Sequence, residues 1–207
     1  MKIKKHITAL ATAAALSVTL PAVAQQSQHM APETMLSLAR VGASALSPDG
    51  KTVVYSVGFP SIKDNKIRTE LFTISSDGSA RRQITQGVAG VHGARWIQQG
   101  RRISYISSES GAPQVWTMAP DGTDRRQVTN IEGGLSDYLF SPDEKQLAYI
   151  KEISFGKSTK EIYPDLPKAT GRIVTDLMYK HWDEWVETIP HIFIAPVGGE
   201  AITGGKD

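Results

Sequence analysis

Residues 71–85 read LFTISSDGSARRQIT, and residues 115–129 read VWTMAPDGTDRRQVT. The two stretches align without a gap at an offset of 44 residues. Self-similarity at such a period marks a repeat architecture. A second motif alternates with the first. It reads ALSPDGKTVVYSV over 45–57, RWIQQGRRISYIS over 95–107 and LFSPDEKQLAYIK over 139–151. Each copy has an apolar residue (Leu46, Trp96, Phe140), a polar turn, and an alternating run containing Tyr55, Tyr105 or Tyr149. A looser third copy of the first motif is IFIAPVGGEAIT, 192–203.

The chemistry of these copies is that of β-hairpins. In Ser47-Pro48-Asp49-Gly50, Pro presets φ, Asp bonds its own backbone and Gly accepts a positive φ. Asp77-Gly78 and Asp121-Gly122 are hairpin signals between alternating runs. Val53, Tyr55 and Val57 share one face of such a run, and β-branched and aromatic residues dominate it, as strands prefer. Four short strands per unit of about 44–50 residues is the signature of a β-propeller.

The expected fold is therefore all-β, a partial propeller of about three four-stranded blades. The blades are expected near 43–87, 91–130 and 136–204, within 41–207. An insertion near 153–189 lengthens the third. It opens with a loop, Phe155 to Pro167, and then carries a short helical segment. Met178, Trp182, Trp185 and Ile189 fall on one apolar helical face of that segment. Three blades are too few to close a ring, which typically has about four to eight. The chain thus reads as the front part of a larger protein or as half of an assembly.

Composition narrows the function. The 207 residues are 40% hydrophobic and 21% charged, ordinary for a globular protein. There is no cysteine, which excludes disulfides, thiolate metal sites and a thiol nucleophile. Removing Lys2, Lys4 and Lys5 from the 23 basic residues leaves 20 against 21 acidic, a net of −1. A near-neutral body offers no case for nucleic acid or an anionic membrane. Residues 1–24, MKIKKHITALATAAALSVTLPAVA, combine a basic start, an apolar core and Ala22-Val23-Ala24. This pattern is a secretory signal peptide, with cleavage expected before Gln25 and a lead-in over 25–40. The apolar core is too short to span a membrane comfortably, and no later stretch is long enough. A periplasmic or secreted product is expected.

The copies SPDGKTVVY, LFTISSDGSARRQIT and SPDEKQLAY resemble the propeller repeats of Tol-system periplasmic proteins. They are equally similar to the N-terminal propeller of prolyl oligopeptidase-family serine peptidases. The lead-in PETMLSLARVGASALSPDGK and the insertion YPDLPKATGRIVTDLMYKHWDEWVETIPHIFI resemble secreted bacterial dipeptidyl-peptidases of that family. The resemblance implies a propeller that gates access to a C-terminal α/β-hydrolase domain absent from this chain. It implies short peptides or peptide N-termini as partners. It also implies that acidic propeller residues hold the substrate's free amine, and Asp183, Glu184 and Glu187 in WDEWVE are the candidates. A carboxylate suits this because a buried ammonium must be paired.

No catalytic residue is expected here. Gly42-Ala43-Ser44-Ala45-Leu46 lacks the second glycine of a nucleophile elbow and leads into a strand. Gly156-Lys157-Ser158-Thr159 lacks the leading glycine of a phosphate loop, since Lys151 stands there. The histidines His29, His92, His181 and His191 lack zinc-site spacing, so neither metal nor cofactor is expected. Arg81-Arg82, Arg101-Arg102 and Arg125-Arg126 read either as a stripe for an anionic partner or as protection of blade edges. The near-neutral charge favours edge protection. Trp96 and Trp116 fall on repeat strands and read as inter-blade core. The alternative to a peptidase segment is a stand-alone periplasmic interaction module that completes its ring by self-association.

Overall fold

The computed structural model describes residues 30–173 and 187–207. Each repeat forms one antiparallel sheet with its strands in chain order. The first sheet holds β1 (Arg40–Leu46), β2 (Thr52–Ser61), β3 (Lys66–Ser75) and β4 (Arg82–Gln83). The second holds β5 (His92–Ile97), β6 (Arg102–Ser107), β7 (Gln114–Met118) and β8 (Arg126–Gln127). In the third, β10 (Gln146–Ser154) lies between β9 (Asp137–Phe140) and β11 (Thr188–Pro196). A short helix, α1 (Pro32–Ser37), precedes the sheets, and α2 (Thr159–Ile162) lies in the insertion. The fold is all-β, with sheets stacked as in a propeller.

The turns work as their chemistry dictates. Ser47 Oγ donates to Asp49 Oδ1 at 2.6 Å and accepts from the Thr52 N–H at 2.9 Å. Ser141 repeats this with Asp143 at 2.6 Å and the Gln146 N–H at 3.0 Å. The two Asp-Gly turns match as well: Asp77 accepts from the Ser79 N–H and hydroxyl, and Asp121 from those of Thr123. These oxygens occupy the backbone donors that the tight turn would otherwise leave unpaired.

Register places one aromatic pair at the same point of every sheet. Tyr55 pairs with Phe72, Tyr105 with Trp116, and Tyr149 with Phe193. Tyr105 and Tyr149 face the preceding sheet and are almost fully buried. One core joins the first two sheets through Val54, Leu71, Ile103, Tyr105 and Met118. Trp96 and Trp116 pack against it, and Trp96 Nε1 donates to the Ala45 carbonyl at 3.0 Å, as an inter-blade core requires. A second core joins the second and third sheets through Ile106, Val115, Leu147, Tyr149 and Ala195. The middle sheet thus contributes opposite faces to two cores, which its strict alternation permits.

A buried polar clasp locks each outer strand. Glu70, fully buried, accepts from Thr85 Oγ1 at 2.7 Å and from the Gly87 N–H at 2.8 Å. Forty-four residues on, Gln114 accepts from Thr129 Oγ1 at 2.7 Å and from the Ile131 N–H at 2.9 Å. In both sheets the threonine hydroxyl accepts the next backbone N–H, of Leu71 or Val115. His191 holds this place in the third sheet, where its Nδ1 pairs with Asp207 Oδ2 at 2.7 Å.

Two sequence expectations are corrected locally. Ile189 lies in β11, opposite Ile153, and not on a helical face. Its β-branched side chain suits a strand that continues a nine-residue antiparallel pairing with β10. The third copy of the first motif also departs from the others. The outer edge of β11 is met at Lys206, which pairs with Ile194, while Ile202 pairs in parallel with Thr129 of the neighbouring repeat.

Candidate substrate-facing site

The insertion hangs from one end of the third sheet. Its stem is closed by the pairing of Ser154 with Thr188 and by the Phe155 N–H, which donates to the Glu187 carbonyl at 3.3 Å. The first turn of α2 is fixed by a capping box, in which Ser158 Oγ accepts from the Glu161 N–H and the Glu161 carboxylate accepts from the Ser158 N–H. The Glu161 carboxyl is held below its ordinary value, chiefly by the Ser158 hydroxyl.

Of the three acids expected to hold an amine, Glu187 is placed at this stem, with an exposed side chain ion-paired to Arg172. Asp183 and Glu184 lie outside the described residues, as do the signal segment 1–24 and Met178, Trp182 and Trp185. An acid already paired with a guanidinium holds an ammonium less well than a bare one. Glu187 is therefore better suited to fixing the stem than to meeting an amine alone.

At the same end, a cavity of about 380 Å³ opens between the second and third sheets. His92, Pro113, Leu135, Ser136, Lys151 and Glu152 are among its lining residues. Its floor is drawn tight by Gly134, whose φ of +83° and 2.8 Å clearance to Pro113 leave no room for a side chain. His92 Nδ1 lies 2.9 Å from the Gly90 carbonyl, so in the neutral ring Nδ1 carries the proton and Nε2 keeps its lone pair. Sequence reading noted His92 only as lacking zinc spacing. Lys151 and Glu152 gave no signal, because their position between two sheets depends on the stacking. Among the described residues no cluster of metal-ligating side chains occurs.

Four of the six paired arginines are held within their own sheets. Arg81 stacks on Phe72, 5.0 Å from the ring centre. Arg125 Nε donates to the buried Tyr105 hydroxyl at 3.0 Å, and the same side chain pairs with Glu109. Arg102 and Arg126 both hold Asp124, at 2.7 and 2.9 Å, and their hydrogen bonds depress its carboxyl. These cations brace the outer strands of their own sheets. Between the second and third sheets, Arg95 bonds Asp137 at 3.0 Å and lies 4.8 Å from the centre of the Tyr138 ring. Tyr138 is buried, its hydroxyl donating to Gly93 O and accepting from the Ser104 hydroxyl; burial holds it neutral far above the ordinary tyrosine range.

Stacked antiparallel sheets with an insertion at one end define a segment of a β-propeller. Among solved structures, acylaminoacyl peptidase of Pyrococcus horikoshii superimposes with a TM-score of 0.56 at 12% identity, over 82% of this chain and 25% of that one. Acylaminoacyl peptidase bound to a Z-Gly-Gly-Phe-chloromethyl ketone gives 0.58 at 12% identity, with the same coverage of 82% and 25%. These show the fold. In sequence, the chain is 60% identical over 180 residues to dipeptidyl-peptidase 5 of Porphyromonas gingivalis, covering 87% of this chain. It is 48% identical over 212 residues to dipeptidyl-peptidase 5 of Porphyromonas endodontalis, covering 97% of this chain. The chain spans only 26% and 31% of the length of these two relatives. No family model matches the sequence. The resemblance to a propeller segment of dipeptidyl-peptidases therefore stands.

Proposed function

We propose that this chain is the substrate-gating part of an exported serine dipeptidyl-peptidase, whose hydrolysis is carried out by an α/β-hydrolase domain absent from it. The observation that supports this most is the 60% identity to a dipeptidyl-peptidase over 87% of the chain. The insertion end is the face turned to substrate, with short peptides entering past it. Asp183 and Glu184 receive the free α-amine, while Glu187, paired with Arg172, fixes the stem that carries them. Among the described residues no helix is long and apolar enough to cross a membrane.

The test uses the whole protein that carries this segment, assayed for release of N-terminal dipeptides. Asp183→Asn combined with Glu184→Gln is expected to lower kcat/KM about 100-fold, the scale of leaving a charged group without its partner. The loss should appear chiefly in KM. An unchanged kcat/KM would remove these acids from the site. The 207-residue chain by itself is expected to release no dipeptide, and turnover by it would overturn the reading.

A further inference from the structure

Register gives one position on the second strand of each sheet the same place in the fold. Val57 pairs there with Glu70, Ser107 with Gln114 and Lys151 with His191. Val57 and Ser107 are buried, and the Ser107 hydroxyl donates to the Ala89 carbonyl at 3.1 Å. The third sheet instead carries a lysine. Side chains alternate along a strand, so Lys151 continues the row of Leu147 and Tyr149, which are buried against the second sheet. Half-buried, it lines the cavity of about 380 Å³ between the two sheets.

That ammonium is unneutralised. Among the described residues Lys151 makes no ion pair, and His191 opposite it engages Asp207. Glu152 also reaches the cavity, but it is exposed and alternation turns it to the other face of the strand. The remaining lining supplies different chemistry. Leu135 and Pro113 are apolar, and neutral His92 offers Nε2 as a hydrogen-bond acceptor. A bulge interrupts the pairing of β5 between His92 and Arg95, with Gly93 at a φ of +64°. Bulges of this kind re-aim a side chain.

A cation and a neutral acceptor beside apolar surface match a peptide. Its carboxylate meets Lys151, an N–H meets His92 Nε2, and a side chain packs on Leu135 and Pro113. An inorganic anion would use the first of these alone. The volume also lies within the roughly 300–1,000 Å³ of small-ligand sites. We infer that this cavity is a peptide-binding subsite in which Lys151 holds a carboxylate, at the C-terminus or on an acidic side chain. That the ligand is a peptide rests on the proposed function; the preference for a carboxylate rests on the cavity.

The test is calorimetric titration of the whole protein that carries this segment. The probes are acetyl-tetra-alanine with a free C-terminus, its C-terminal amide, and that amide with one alanine replaced by aspartate. Acetylation leaves no free amine for the acids of the insertion to hold. At least one carboxylate peptide is expected to bind about 10-fold more tightly than the neutral amide, the scale of one hydrogen bond to a charged group. Which of the two binds identifies the source of the carboxylate. Lys151→Met should remove the advantage and Lys151→Arg should keep it, with circular dichroism showing that both variants fold. Carboxylate peptides no tighter than the amide would overturn the inference. So would an advantage that survives Lys151→Met, or one that Lys151→Arg abolishes equally. Binding is read here without turnover. A carboxylate preference lost with Lys151 therefore stands even if no dipeptide is released, and dipeptide release without that preference removes only the subsite.

Discussion

At the scale of single residues, the most consequential side chains are polar ones with no access to water. Gln114 accepts two hydrogen bonds and donates one, from its amide to the Ile131 carbonyl at 2.8 Å. Truncating it strands partners that no solvent can reach, and each stranded group costs about 1–3 kcal/mol. Gln114→Ala is expected to lower unfolding free energy by about 3 kcal/mol in urea titrations. Glu70 performs the same task with a carboxylate, although nothing in the period of the sequence requires an acid there. Both residues immediately precede the repeat that revealed the fold, and Thr85 and Thr129 close it. The pairing was thus visible as repetition, but its role needed the outer strand folded back.

The elements are held by their turns. Asp49, Asp77, Asp121 and Asp143 are solvent-exposed, and each carboxyl lies below the ordinary 3.8 because a Ser or Thr hydroxyl and a backbone N–H bond its charged form. In the unfolded chain these acids bind protons at higher pH than in the fold. Their contribution is therefore complete above 3.8 and is lost as pH falls below it through the depressed values. Acid unfolding followed by circular dichroism should show a stability loss beginning near this point. Asp121→Asn with Asp143→Asn should flatten it, since an amide does not titrate. The turns were fully legible in Ser-Pro-Asp-Gly and Asp-Gly, because their bonds are local. The helical reading of Ile189 failed for the converse reason. A period over a few residues cannot tell a helix from the start of a strand whose partner lies across the insertion.

Across the whole molecule, the middle sheet decides cooperativity. Ile103 faces one core and Ile106 the other, both fully buried. Ile103→Ala and Ile106→Ala should each cost about 2–5 kcal/mol. Each should also shift a single transition, with tryptophan emission and circular dichroism coinciding. Separate transitions for the two probes would mean that the sheets unfold independently. Sheets that contact only their neighbours otherwise behave as nearly independent units. The bonds of Arg95 to Asp137 and of Tyr138 to Ser104 couple the second sheet to the third.

The sequence by itself determined the repeat, the hairpins, the apolar alternation and the kinship with dipeptidyl-peptidase propellers. All of these rest on short-range pattern or on residue identity. Only the tertiary structure decided that the arginine pairs brace strands and that Glu187 meets Arg172. It alone placed His92, Lys151 and Glu152 around one cavity. Burial belongs to the surface that arrives opposite a residue. Equivalent positions in a repeat share a strand and a face, and what covers them depends on which sheet stands next.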